Sequence, residues 1–186
     1  IQEEPKRYLR SDVYLSTYDQ PCTPEAVAQL ETEWNIKLSA SYRQFLLSYA
    51  GGKLQDIVYS GEEDESIYLE CLYGMEAFST YRQDAQFQQM IAQGYLPIGE
   101  DAFGYWLLLC GTGRYEGYIV YARDFTLANA VFLEPDFTAF LLHCHTTSTL
   151  YDTVDRDSVQ VLYTEPKQNL WKQRRRFLSI EQHENK

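Results

Sequence analysis

Three histidines are the first residues in this 186-residue sequence that could carry chemistry. His143 and His145 lie two residues apart in a segment with helical periodicity, so we expect them to face different directions, and His183 lies in a polar tail. The His-Cys-His run at 143–145 lacks the spacing of zinc ligands. The sequence therefore predicts no metal site.

Two acidic groups could act as general acids or bases: Glu62-Glu63-Asp64-Glu65 and Glu100-Asp101. Nothing near either group in sequence supplies a positioned partner, so a charged loop is the simpler interpretation of each. Gly111-Thr112-Gly113 resembles a phosphate loop, but a predicted strand follows it and not the helix N-terminus that holds phosphate. GxSxG, HExxH and Walker motifs are missing from the sequence. We predict no catalytic residue, cofactor or small-molecule substrate.

The net charge of −11 is unevenly distributed. Residues 1–149 hold 21 acidic and 9 basic residues, whereas residues 150–186 hold 6 acidic and 7 basic residues. Between Lys53 and Arg82 there is no basic residue, but seven acidic residues fall there. Such a surface repels nucleic acid and attracts cationic partners, although a solvated face that keeps the protein soluble would have the same composition.

Tyrosine occurs 16 times, and several tyrosines flank the acidic groups. A tyrosine joins a rigid apolar ring to a polar tip, which suits protein recognition, although many tyrosines simply pack at strand edges. The predicted partner-binding surface combines both residue types: Tyr59, Glu62, Glu63, Asp64, Glu65, Tyr68, Glu100, Asp101 and Tyr105.

A β-hairpin within residues 94–124, the densest apolar stretch, is predicted to organise the fold. Its strands are residues 105–110 and 118–122, and residues 97–101 with Gly104 form a turn-rich approach that presents both carboxylates. Residues 54–59 and 67–72 are predicted strands on either side of the acidic loop, and residues 130–133 are another.

Capping signals and periodicity predict the helices. Thr23 and Ser39 are predicted N-caps, Gly51-Gly52 ends the second helix, residues 82–92 form the third, and a fourth begins near Pro135 and extends through Cys144. We expect one shared core containing Trp34, Phe45, Leu46, Ile98, Leu107, Val120, Phe140 and Leu141. The fold class is therefore α+β, a single domain with a mixed, mainly antiparallel sheet packed against helices, plus a C-terminal helical extension.

Three regions are predicted along the chain: an N-terminal arm at 1–22 with a short strand at 13–18, a domain at 23–145, and an extension at 146–186 with a strand at 159–163 and a helix at 166–180. Arg174-Arg175-Arg176 could dock this helix onto the acidic body, or the tail could be loosely attached.

The four dispersed cysteines are predicted to be reduced and mostly buried. No apolar run approaches 18 residues, so we expect a soluble, cytoplasmic protein with no membrane partner, while a leader removed before Ile1 stays an open alternative.

The order of these features resembles the SUKH superfamily, the Smi/Knr-like fold. The matching pieces lie within about residues 23–145: Glu31 and Trp34 before Ile36-Lys37-Leu38, YRQFLL at 42–47 before Gly51-Gly52, LPIGED at 96–101 with Gly104, GYIVY at 117–121, and FTAFL at 137–141. This resemblance implies a non-catalytic binding protein. Bacterial members of the superfamily typically protect the producing cell by binding a polymorphic or contact-dependent toxin, often a nuclease.

Three functions are therefore compared. An immunity protein would bind a basic cognate toxin domain through the acidic, tyrosine-rich surface, which agrees with the charge because a nuclease is basic where it grips phosphate. A cytoplasmic regulatory or scaffold module of the same fold would bind no toxin. An enzyme would turn over a substrate. The resemblance and the charge together favour the immunity protein.

Overall fold

The computed structural model describes residues 7–10, 13–61 and 66–147. Within them one nine-stranded sheet runs in the order β1-β2-β3-β4-β5-β6-β7-β8, β9 pairs with β3, and every pairing is antiparallel. The strands are β1 (Arg7–Arg10), β2 (Val13–Tyr18), β3 (Gly52–Ser60), β4 (Ser66–Leu72), β5 (Tyr95–Asp101), β6 (Trp106–Cys110), β7 (Ile119–Ala122), β8 (Val131–Glu134) and β9 (Cys144–Thr146). The α+β prediction is confirmed. The two strands of the predicted N-terminal arm extend this sheet through β3.

Five helices accompany the sheet in the described residues: α1 (Pro24–Trp34), α2 (Ala40–Ser48), α3 (Met75–Tyr81), α4 (Ala85–Ala92) and α5 (Phe137–Leu142). The predicted caps are observed, because Thr23 Oγ1 accepts from the Ala26 amide and Ser39 Oγ from that of Tyr42. The helix predicted from residue 82 begins at Ala85, since Asp84 caps it, and α3 was not predicted.

Side chains are buried on both faces of the sheet. The larger core lies between the sheet and the helices and contains the predicted residues Trp34, Phe45, Leu46, Ile98, Leu107, Phe140 and Leu141. Val120 belongs to a second cluster with Leu108 and Phe132, so its predicted place in the shared core is wrong. The reason is geometric, since neighbouring residues along β7 point to opposite faces and Ile119 takes the helix side.

The end of α2 differs in detail from the prediction. The residue with the left-handed backbone is Ala50, at φ 57°, and not Gly51. Gly51 is required for space, because a Cβ there would stand 2.1 Å from the backbone nitrogen of Gly74. The two glycines let the segment after α2 touch the segment that leads into α3.

The turn-rich approach predicted at residues 97–101 is instead strand β5. Pro97 made the segment resemble a turn, because proline lacks the amide that a sheet ladder uses. The pairing with β6 shifts register between Pro97 and Gly99, and such a bulge accommodates the proline. The actual turn lies after Asp101.

The fourth predicted helix is also too long. Helix α5 ends at Leu142, and Cys144 to Thr146 form β9, so His145 lies on a strand. Buried Arg10 explains the early end, because its Nη1 donates to the carbonyl oxygens of Leu142 at 2.9 Å and of Cys144. Local periodicity cannot register a contact from a residue so distant in sequence.

Several predicted features lie outside the described residues. They are the loop Glu62-Glu63-Asp64-Glu65, the strand at 159–163, the helix at 166–180 and Arg174-Arg175-Arg176. None of the four cysteines, all of which lie in the described residues, forms a disulfide, and Cys22, Cys110 and Cys144 are buried, as predicted. None of the helices in the described residues has the length and apolar character needed to span a membrane.

Phe45→Ala and Phe140→Ala should each lower the free energy of unfolding by about 3–5 kcal/mol, because both rings are fully buried and their removal leaves a cavity. Phe103→Ala is the matched control, because Phe103 is exposed, and should change it by less than about 0.5 kcal/mol. Urea denaturation measures all three. Unchanged midpoints for both core variants would show that the core is misplaced.

Candidate functional site

Three of the predicted surface residues, Tyr68, Glu100 and Tyr105, lie where β4, β5 and β6 are side by side. Tyr68 on β4 is 49% exposed, and its carbonyl oxygen accepts from the Ala102 amide at 2.8 Å. Glu100 lies near the end of β5, and Tyr105 directly precedes β6. Phe103, in the turn between these strands, is 76% exposed and was not among the predicted residues. Its neighbour Gly104, with φ +83°, was the sequence signal for this turn.

Asp101 holds this turn together from the inside. Its Oδ1 accepts from the backbone amides of Phe103 at 2.9 Å and Tyr105 at 2.8 Å, and its Oδ2 accepts from the Tyr121 hydroxyl at 2.5 Å. Burial, followed by the hydrogen bond to Asp101, raises the pKa of Tyr121, which keeps the hydroxyl protonated as the donor. Asp101 is only 3% exposed, so it positions the surface and does not form part of it.

Glu100 and Asp101 lie on opposite faces of the sheet, although they are adjacent in sequence. Glu100 is paired across the strands with Cys71 and Trp106, whereas Asp101 is paired with the core residue Leu69. Glu100 is partly exposed, and its Oε2 accepts from the Tyr73 hydroxyl at 3.0 Å. The sequence had suggested that the two carboxylates would be presented to a partner as one acidic pair. Because they lie on opposite faces of the sheet, they cannot form such a pair.

Tyr59 lies in the core and not at the surface. Its side chain is 0% exposed, and its hydroxyl donates to Glu134 Oε1 at 2.9 Å. The same carboxylate oxygen lies 2.8 Å from Nδ1 of His143, which is also 3.0 Å from the Ala139 carbonyl. Since both neighbours are acceptors, Nδ1 carries the proton. Tyr59 therefore does not form part of the surface, because its ring is packed in the core and its hydroxyl is hydrogen-bonded there.

Aromatic side chains continue across the turn between β5 and β6. The ring centroid of Tyr105 lies 6.2 Å from that of Phe103 and 6.3 Å from that of Tyr121. The Arg123 guanidinium lies 5.6 Å from the Tyr105 centroid, a cation–π distance. These contacts fix the Tyr105 ring on one side while Phe103 stays open to solvent.

No set of three or more metal-ligating side chains comes together in the part of the chain that the structure describes. Burial and the charge of Glu100 raise the pKa of Cys71 to about 12, so this partly exposed thiol stays protonated near neutral pH. A thiol is a far weaker nucleophile and metal ligand than a thiolate.

Two clefts adjoin these strands. One, of about 470 Å³, is lined by Ile67, Tyr121, Arg123 and Val131 among others, and so contains a cation. The other, of about 270 Å³, lies on the side that carries Glu100 and contains two further carboxylates, Asp19 and Glu76. Asp19 and Glu76 are 57 positions apart and were not predicted, because only the sheet brings them together.

A model of the SMI1/KNR4 family (SUKH-1) matches residues 21–143. This interval is about two thirds of the sequence and contains α1 to α5 with the strands β3 to β8. Comparison with curated proteins gave no significant match. The family match confirms the resemblance that the sequence predicted.

Asp101→Ala should lower the free energy of unfolding by about 1–3 kcal/mol, because it leaves the Tyr121 hydroxyl and two backbone amides without their acceptor. Tyr105→Phe removes only a hydroxyl at the neighbouring ring and should change it by less than about 0.5 kcal/mol. Thermal or urea unfolding compares them. Equal stability of Asp101→Ala and the parent protein would refute the structural role of Asp101.

Proposed function

The chain belongs to the SMI1/KNR4 family (SUKH-1), and from this premise we propose that it is an immunity protein that binds and neutralises a cognate bacterial toxin domain. Immunity proteins are known in this family. On this proposal the protein acts in the cytoplasm by occupying the toxin, and it catalyses no reaction. The toxin is a polymorphic or contact-dependent type whose bound surface is basic, as in a nuclease.

The observation that carries the proposal is the exposure of the Tyr68 and Phe103 rings close to the partly exposed carboxylate of Glu100. We define this acidic aromatic face as the end of the sheet around the turn after β5, where Tyr68 and Glu100 lie on one side of the sheet and Tyr105, with its neighbour Phe103, lies on the other. The acidic loop Glu62-Glu63-Asp64-Glu65 connects β3 to β4 in sequence and lies outside the described residues. Phe103 is the most exposed of the large apolar side chains in the described residues. Exposed aromatic residues that neighbour one another are typical of binding surfaces, where they become the buried anchors.

The charge of this face supports a basic partner. In the described residues Glu31, Glu33 and Glu116 each lie within 4.0 Å of a lysine or arginine nitrogen, and their charges are balanced locally. Glu100 is instead met by the neutral Tyr73 hydroxyl at 3.0 Å. A nuclease must be positive where it holds phosphate, so an acidic protein can cover that surface and exclude the substrate.

Replacing Glu62, Glu63, Asp64 and Glu65 by Ser should slow association with the basic toxin domain by about tenfold at low salt. The effect should become small at high salt, because ions already screen the field between the charges. Stopped-flow or surface-binding kinetics across a salt series measure this. Dissociation should change less, since charges at the rim of an interface act mainly on the association rate.

The control removes acidic charge from another element. Glu25→Ser with Glu33→Ser takes two carboxylates from α1 and should slow association less, per charge removed, than the loop variant. An equal effect per charge would show that only the net charge matters and that the acidic aromatic face is not the interface. Failure of the unmodified protein to bind any toxin domain would favour a regulatory or scaffold module of the same fold.

A further inference from the structure

The larger cleft, of about 470 Å³, lies on the side of the sheet opposite Glu100 and is lined by residues of β4, β7 and β8. In the sheet order β5, β6 and β7 separate β4 from β8. The Tyr59 hydroxyl nevertheless lies 3.3 Å from the Leu133 carbonyl oxygen, although five strand spacings between β3 and β8 would measure about 24 Å in a flat sheet. The sheet therefore curves strongly, and the cleft lies on its concave side.

The floor of the cleft is part of the larger core. Ile67 and Leu133 belong to that core and are 6% and 0% exposed. Tyr121 and Val131 pack against the same core but stay partly exposed. No helix residue contributes to the lining among the described residues, so an apolar surface remains accessible here. An apolar group that entered the cleft would remove this surface from water, which is favourable.

Arg123 places a positive charge at the rim of this cleft. Its guanidinium lies 5.6 Å from the Tyr105 ring centroid and within hydrogen-bonding reach of the Tyr121 hydroxyl. That hydroxyl donates to Asp101 Oδ2, so its oxygen can accept from Arg123. The guanidinium is thus held by one face and one edge, and its remaining N–H groups are donors for a ligand.

The charge of Arg123 is not balanced by an adjacent carboxylate in the described residues. Within them, no Asp or Glu oxygen lies within 4.0 Å of its guanidinium. Asp101 is connected to it through Tyr121, but Asp101 is 3% exposed and already accepts from two backbone amides. The described lining contains neither a carboxylate nor a second cation. The cleft therefore suits a ligand with a single negative charge.

We propose that this cleft binds a small organic acid, a molecule in which one carboxylate is joined to an apolar body such as a ring. The carboxylate bonds to Arg123, whose planar fork matches its two oxygens. Ser66 and Asn129 stand at the rim as further donors, and the apolar body lies on Val131 and Leu133. This inference does not depend on the proposed function.

Size and charge distinguish this ligand from others. Sites for small molecules typically measure about 300–1,000 Å³ and combine apolar walls with a few polar groups. Benzene fills a cavity of about 150 Å³, so the cleft has room for a ring and its carboxylate. A phosphate monoester carries a charge of about −1.5 to −2 and would exceed the single cation of the described lining. A cationic ligand would be repelled by Arg123.

The test titrates the full-length protein with phenylacetate at constant ionic strength and follows backbone amide resonances by NMR. We expect shifts at Ile67, Tyr121 and Leu133 that saturate at millimolar phenylacetate. Phenylacetamide has nearly the same shape without the charge and should bind more weakly by about fivefold or more, because it loses the charge-assisted hydrogen bonds to Arg123.

Two variants separate the contributions of charge and of apolar contact. Arg123→Gln should weaken phenylacetate binding by about fivefold or more and should abolish the preference over phenylacetamide, whereas Arg123→Lys should keep part of it. Val131→Thr places a hydroxyl in the apolar wall at nearly constant volume and should weaken binding of both probes. Arg114→Gln is the matched control. The Arg114 guanidinium also lies over a tyrosine ring, at 5.4 Å from the Tyr115 centroid, but Arg114 does not line the cleft.

The carboxyl terminus of a protein segment is another source of the same carboxylate and ring. N-acetyl-Gly-Gly-Phe, a peptide with a free carboxyl terminus, is therefore titrated beside phenylacetate. Equal or weaker binding of the peptide supports a free organic acid, and binding tighter by about tenfold would overturn that assignment in favour of a protein terminus.

Three further results would overturn the inference. They are the absence of saturable shifts around the cleft, equal affinities for phenylacetate and phenylacetamide, and an affinity for phenylacetate that Arg123→Gln changes no more than Arg114→Gln does. Amide resonances remote from the cleft report whether each variant remains folded. Because none of these measurements uses a toxin domain, their outcome leaves the proposed function untouched.

Discussion

The alternation of side chains along β5 is the constraint on which the candidate site depends. This strand lies between β4 and β6, and its residues from Tyr95 to Gly99 are buried. The register that buries them also sets the faces to which the next two side chains, Glu100 and Asp101, point, because successive side chains of a strand point to opposite faces. Asp101 consequently points to one face, where it accepts a hydrogen bond from Tyr121, while Glu100 points to the opposite face and accepts one from the Tyr73 hydroxyl.

Because of this alternation, the two adjacent carboxylates have different roles. Asp101 orders the turn that displays Phe103 and Tyr105, and Glu100 supplies charge in the cleft beside α3. The close backbone contact of Gly51 with Gly74 brings Asp19 over the start of α3, which completes the acidic cleft. Like charges held together in this way oppose folding, and proteins typically retain such local conflicts at functional sites.

Sequence reasoning succeeded where the physical cause is local. The caps at Thr23 and Ser39 bond to amides three residues ahead, so they were visible in the sequence. It failed where the end of a helix or the position of a side chain depends on a residue that is distant in sequence. Arg10 ends α5 from the far edge of the sheet, Glu134 draws the Tyr59 hydroxyl inward, and only the fold brings Asp19 to Glu76. The acidic composition was evident from the sequence. That Glu100 and Asp101 lie on opposite faces of the sheet became known only from the register of β5.

We propose that the protein binds a basic domain through the surface around Glu100 and the turn after β5. Hydrogen exchange of the full chain, alone and in complex with a cognate basic toxin domain, is the measurement that tests this surface. We expect slowed exchange in residues 61–66, 74–81 and 102–105 on binding. Slowed exchange confined to residues 113–118, on the connection between β6 and β7, or no change anywhere, would contradict it.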